Sequence, residues 1–313
     1  MTALAKAVRD YLRLRRRLGF KLRMYDWYLA QFVEFMKHER ASRITIELAL
    51  RWATRPPKKT AAEQARRLGI VRGFARYCSG LDPRTEIPPK GLLRGRAQRI
   101  QPYLYTDDEI AQLMSAARRV PTTVRWSPGL RAATYEALIG LLVVTGVRIS
   151  EALRLDRTDI DWTEGVLTIR ETKWCKSRMV PLHSTTMNAL WDYAELRDKV
   201  CRRPKTASFF VDERWRRLGY YGVRATFVRL SRETGLRGPH DSRGPRMHDF
   251  RHRRAVYALI QWYREEADVE QLLPVLSTYL GHVKVSDTYW YLTAVPELLQ
   301  LAMARVERKR SSR

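Results

Sequence analysis

Residues 81–104 constrain the architecture most, because no regular element can run through them. They hold Pro83, Pro88, Pro89 and Pro102, with Gly91, Gly95 and several arginines, and show no apolar periodicity. Proline lacks the N–H that a helix interior or central strand needs, and glycine weakens both, so the run reads as a linker. It predicts a helical region at 1–82, a basic linker at 83–104 and a larger region at 105–313. In a chain of 313 residues both flanking parts are long enough to bury a core.

The first region reads as four helices. Leu4, Val8, Tyr11, Leu12 and Leu18 recur at helical spacing opposite Arg9, Arg13, Arg16 and Arg17. A second helix spans about Met24 to His38, a third starts after Thr45 and ends at Pro56-Pro57, and a fourth runs from Thr60 to Tyr77 with Arg66, Arg67, Arg72 and Arg76. Residues 1–100 carry 24 Lys/Arg against 8 Asp/Glu, and the whole chain has a formal net charge of +26. An excess that large repels itself unless a polyanion neutralises it, and arginine suits forked contacts to phosphate. Double-stranded DNA is the expected partner, and an anionic membrane surface is not. Cys78, Cys175 and Cys201 are too few and too scattered for a disulfide framework or a metal site, which fits a reducing cytoplasm. The start of the chain lacks the apolar run of a signal peptide, and the longest apolar run, Ala137 to Val147, is too short to span a bilayer.

In the second region Thr106 to Glu109 forms a capping box ahead of Ile110, Leu113 and Met114, and Leu130 to Val144 is an apolar central helix. Val166 to Arg170 and Arg178 to Leu182 read as a hairpin, followed by a helix from Ser184, its expected N-cap, to Val200. Ser208 to Val211 is a possible short strand. Further helices are expected near Gly222–Thr234, His248–Arg264, Val269–Leu280 and Pro296–Arg310.

Five polar side-chain groups punctuate this region. Arg148 follows a Thr-Gly turn and precedes Glu151 by one helical turn. Lys173 stands in the hairpin turn, with Lys176 as its competitor. His248 and Arg251 share a helix face. His282 follows Gly281, a residue suited to the left-handed end of a helix, and Tyr289 and Tyr291 flank Trp290 just beyond. Each has an ordinary alternative: a surface ion pair for Arg148 and Glu151, core packing for Tyr289, and zinc binding for His248 with His252. Zinc binding would put Arg251 beside the metal, which argues against it.

Together these residues resemble the tyrosine recombinase, or phage-integrase-like, family, whose signature is Arg, Lys, His-x-x-Arg, His and Tyr in that order. The resemblance implies a mainly α fold with a small β-hairpin or sheet: a helical amino-terminal core-binding (SAM-like) domain and an α+β tyrosine recombinase catalytic domain. It implies site-specific DNA breakage and rejoining by Arg148, Lys173, His248, Arg251, His282 and Tyr291, with Glu151 orienting a neighbour. Neither metal nor ATP is expected. A homotetramer on DNA, accessory recombination proteins and a transposable element are further implications. The carboxy-terminal helix, with Leu298, Leu299, Leu301 and Val306, would pack on its own domain or on a neighbour. Arg253 and Arg254 stand where small residues are common and are expected to add a phosphate contact. The 34 residues from His248 to His282 are more than the family usually has. A type IB topoisomerase-like enzyme and a non-catalytic DNA-binding protein of the same fold stay open at this point.

Overall fold

The computed structural model describes residues 3–22, 24–55, 60–95, 101–170, 177–201, 205–293 and 295–311. They form two units, Met1–Ile100 and Gln101–Arg313.

The first unit is four helices: α1 (Ala3–Arg17), α2 (Tyr25–His38), α3 (Ile46–Thr54) and α4 (Ala61–Ser79). Thr45 and Thr60 each accept an amide hydrogen bond from the first turn, from Leu48 at 3.2 Å and Glu63 at 3.3 Å. Phe32, Trp52, Leu68 and Phe74 fill the core. Two of the arginines expected on polar faces are inward ties. Arg67 is buried, lies over the Trp52 ring and donates to the Trp52 carbonyl. Arg72 donates to the carbonyls of Pro88 and Pro89 and so fastens the proline-rich segment to α4. Pro56 and Pro57 lie outside the described residues.

The second unit is built on α6 (Leu130–Thr145), whose Leu138, Leu141 and Leu142 are fully buried. Packed on it are α5 (Asp107–Arg118), α8 (Ser184–Val200) and α10 (Met247–Arg264). The capping box of Thr106 and Glu109 is formed on both sides. After the short α7 (Ile149–Ala152) come β1 (Ile160–Asp161), β2 (Val166–Ile169) and β3 (Arg178–Pro181), an antiparallel sheet in that order. The register pairs Leu167 with Val180 and Ile169 with Arg178. β1, two residues long, carries no alternation that a sequence reading could catch. Ser208 to Val211 makes only isolated bridges, to Asp156 and Arg217. α8 is capped by His183, whose Nδ1 accepts from the Thr185 amide, rather than by Ser184.

The chain closes with α9 (Tyr220–Glu233), α11 (Val269–Leu280), α12 (Ser286–Tyr289), a 3-10 turn at Trp290–Thr293, and α13 (Pro296–Ser311). The long His248–His282 interval is taken up by α10 running to Arg264 and by α11, which contains Pro274. α13 lies on its own unit: Leu298 is buried against α10, Glu297 pairs with Arg264, and Arg305 donates to the Ala267 carbonyl. Leu299 is exposed, and the side chain of Val306 lies outside the described residues. Among the described residues no helix is long and apolar enough to cross a membrane.

Candidate active site

The site is assembled at the carboxy-terminal end of α11. A helix leaves its last carbonyls without intrahelical partners, at the negative end of its dipole. Gly281 takes the left-handed conformation, φ +67°, and the amides of Gly281 and His282 turn back onto Thr278 and Ser277. Three successive carbonyls then face outward, and each receives one guanidinium. Tyr279 accepts from Arg178 at 2.8 Å, Leu280 from Arg251, and Gly281 from Arg148 at 3.0 Å. The arginines come from β3, α10 and the start of α7, so this helix end gathers three otherwise separate elements.

Arg148 reaches its place because Gly146, φ +63°, ends α6 in a tight turn against α10. A Cβ there would stand 3.4 Å from the Arg251 Cα and 3.2 Å from the Arg254 Cβ. Arg251, 2% exposed, spans the same gap from the other side, with Nη1 donating to the Gly146 carbonyl at 3.0 Å. Burial and the charge of Arg148 lower its pKa to about 10, while Tyr291 and Glu151 act in the opposite sense. It stays a cation at neutral pH.

Among the described residues Glu151 is the one carboxylate bonded to these arginines. It accepts from Arg148 Nη1 at 2.7 Å, from the Arg148 amide at 3.0 Å, and from both terminal nitrogens of Arg178 at 2.7 and 3.3 Å. Burial alone would raise its pKa. The hydrogen bonds and charge of Arg178, followed by those of Arg148, outweigh that and hold it near 2. Among the described residues, three guanidiniums against one carboxylate leave a surplus of positive charge carried on forked donors, the complement of a phosphodiester.

The imidazoles complete the arrangement. The His282 Nδ1 lies 2.8 Å from the hydroxyl of Thr288, a fully buried residue of α12. Its ring stands nearly parallel to that of Tyr291, centroids 6.1 Å apart at 17°. His252 contacts His248 at 4.7 Å, Trp290 at 5.2 Å and Tyr291 at 5.5 Å between centroids. Burial, then neighbouring cations, lowers the pKa of His282 to about 4, and burial, then His248, does the same to His252. Burial and Arg251 lower that of His248. All three are neutral at pH 7, so each can accept a proton or donate one N–H.

Arg148, Glu151, His248, Arg251, His282 and Tyr291 are thus brought together. Lys173, Cys175 and Lys176 lie outside the described residues. Tyr291 is 2% exposed and packs among Val256, Leu259 and Leu298, whereas Tyr289 is 53% exposed and takes no part in that cluster. Arg253 departs from the expected phosphate contact: it is buried and donates to the Tyr105 carbonyl and Asp107, tying α10 to the start of α5. Arg254 donates to the Val144 carbonyl. The sequence reading missed Arg178 and Thr288. Arg178 had a signal: it shares a strand face with Val180, which is fully buried, so a charge at that position points into the protein. Among the described residues no cluster of His, Cys, Asp or Glu could hold a metal ion.

The family model described as the phage integrase family matches residues 104–297. The integrase/recombinase homologue y4rB of Sinorhizobium fredii is 47% identical over 310 residues, covering 99% of this chain and 98% of that protein. Tyrosine recombinase XerC of Chlamydia trachomatis is 28% identical over 267 residues, covering 85% and 76%. Among solved structures, XerH site-specific recombinase bound to its palindromic difH substrate superposes with a TM-score of 0.67 at 19% identity, covering 91% of this chain and 79% of that one. A lambda integrase tetramer bound to a Holliday junction gives 0.58 at 18% identity, covering 91% and 78%.

Proposed function

The chain belongs to the phage integrase family and is a site-specific tyrosine recombinase, and from that premise we propose how its residues divide the work on double-stranded DNA. Tyr291 attacks a backbone phosphorus in line. The phenolic proton passes to His248, the bond from phosphorus to the 5′ oxygen breaks, and Lys173 protonates the leaving 5′ oxygen. Arg148 and Arg251 turn from backbone carbonyls onto the non-bridging oxygens, where charge builds in the transition state, and His282 adds a donor. Glu151 keeps Arg148 oriented. The product is a 3′-phosphotyrosine, which keeps the phosphodiester energy, so a 5′ hydroxyl can reverse the step without ATP or metal.

One observation carries this reading: three guanidiniums meet at the end of α11, and the next residue, His282, lies against Tyr291. The basic face of α1, with Arg9, Arg13 and Arg17, supports DNA backbone contact by the first unit. By likeness to the DNA-bound relatives, the working form is a tetramer on two DNA sites, acting in the cytoplasm, with accessory proteins where the site requires them.

The test is covalent capture. Nicked duplexes with a randomised core are incubated with the protein, denatured, and adducts recovered and sequenced. Wild type and Tyr289→Phe should yield the same captured site in the presence of EDTA, and Tyr291→Phe none. Adducts from Tyr291→Phe, or loss with EDTA, would overturn the assignment.

A further inference from the structure

We propose that Arg178 is a positioning residue for strand cleavage, acting on the phosphate through Glu151 and Arg148. The inference rests on the role given to Arg148 above. Arg178 leaves β3 nearly buried, its side chain 8% exposed, and spends every guanidinium nitrogen on the site. Nε donates to the Tyr279 carbonyl at 2.8 Å, and the two terminal nitrogens fork onto the two oxygens of Glu151 at 3.3 and 2.7 Å. Glu151 in turn holds both the amide and the guanidinium of Arg148.

The packing leaves this fork little alternative. A Cβ on Gly281 would stand 2.6 Å from Arg178 Nη1 and 2.9 Å from its Cζ, so the guanidinium lies flat against the bare glycine backbone. Arg178 therefore locks the sheet to the turn that presents His282. It also supplies the largest hydrogen-bond and charge effect opposing the burial of the Glu151 carboxylate. Without it, a buried carboxylate would face Arg148 alone and would draw that guanidinium away from a phosphate or take up a proton. Arg148 has a carboxylate and a carbonyl to hold it between turnovers. Arg178 keeps both of those acceptors in place, with all three of its own guanidinium nitrogens committed to Glu151 and the Tyr279 carbonyl.

The experiment compares wild type, Arg178→Lys, Arg178→Met and the double variant Arg178→Met with Glu151→Gln on the captured DNA site. Non-covalent DNA affinity should be retained, while the single-turnover rate of adduct formation falls roughly a hundred-fold in Arg178→Met, the scale of a misplaced catalytic group. Arg178→Lys, which keeps the charge but not the fork, should fall between. Glu151→Gln should restore part of the loss, because it removes the stranded carboxylate. Carbon-detected NMR of labelled glutamate in the DNA-free protein should show the Glu151 pKa rising from about 2 in Arg178→Met. An adduct rate equal to wild type, or an unmoved Glu151 pKa, overturns the proposal. Failure of wild type itself to form an adduct would instead strike the roles assigned to Arg148 and Tyr291.

Discussion

The imidazole of His282 and the phenol of Tyr291 lie nearly parallel, 17° apart with centroids separated by 6.1 Å, and the phenol is 2% exposed. A nucleophile so enclosed reaches a phosphate only if the segment after α12 shifts off α10 and α13. In the DNA-free protein, acetylation by N-acetylimidazole should therefore mark Tyr289, 53% exposed, well before Tyr291. Leu298 belongs to the same cluster, so Leu298→Ala should speed labelling of Tyr291 and cost about 2–5 kcal/mol of stability. Peptide mass mapping over time decides it. Equal labelling of the two tyrosines would contradict the buried seat.

Acid should weaken the fold before the carboxylates titrate. His252 and His282 have native pKa values near 4, against about 6.5 in an unfolded chain. Between those values the unfolded state binds protons that the native state refuses, so stability falls as pH drops from about 6.5 to 4. The lowered pKa of His248 acts in the same sense. Glu151, near 2 rather than 4.5, adds a further loss below that window. Melting temperatures from pH 7 to pH 4 should fall, and His252→Gln should flatten the slope. An unchanged slope in that variant would place the proton uptake elsewhere.

Two glycines of α6, one at its end and one within it, should respond to alanine with opposite signs. Gly146 has φ +63°, and its added Cβ would press on Arg251 and Arg254, so Gly146→Ala should cost about 1–3 kcal/mol and move α10. Gly140 lies within α6, where a Cβ meets only the flexible end of Met114 at 3.4 Å. Gly140→Ala should stabilise by about 0.5–1 kcal/mol through helix propensity. Urea titration reads both.

Local signals in the chain were easy to read, and partnerships were not. Thr45, Thr60 and Thr106 cap helices using amides three residues on, so their roles are written in adjacent sequence. The left-handed Gly281 and the placement of Arg148 before a short helix are local in the same way. Arg178 is different, since its acceptors lie 27 and 101 residues away, and only burial of its strand face hinted at it. Arg253 misled for the converse reason. A basic residue beside a conspicuous site motif suggests a phosphate, yet its partners, Tyr105 and Asp107, stand nearly 150 residues earlier. His183 took the cap expected of Ser184 because its ring nitrogen reaches the Thr185 amide.

Gly281 joins the backbone argument to the arginine argument, and a double-mutant cycle separates them. A side chain at φ +67° costs about 1–2 kcal/mol wherever it occurs. At this position its Cβ would also lie 2.6 Å from Arg178 Nη1, so Gly281→Ala must displace that guanidinium. In an Arg178→Ala background the second effect has no atom to act on, and only the backbone cost remains. Urea unfolding of the four proteins should therefore show Gly281→Ala to be less costly in the Arg178→Ala background, and the adduct rate should show the same sub-additivity. Strict additivity would mean that the glycine serves the turn alone and that Arg178 does not depend on it.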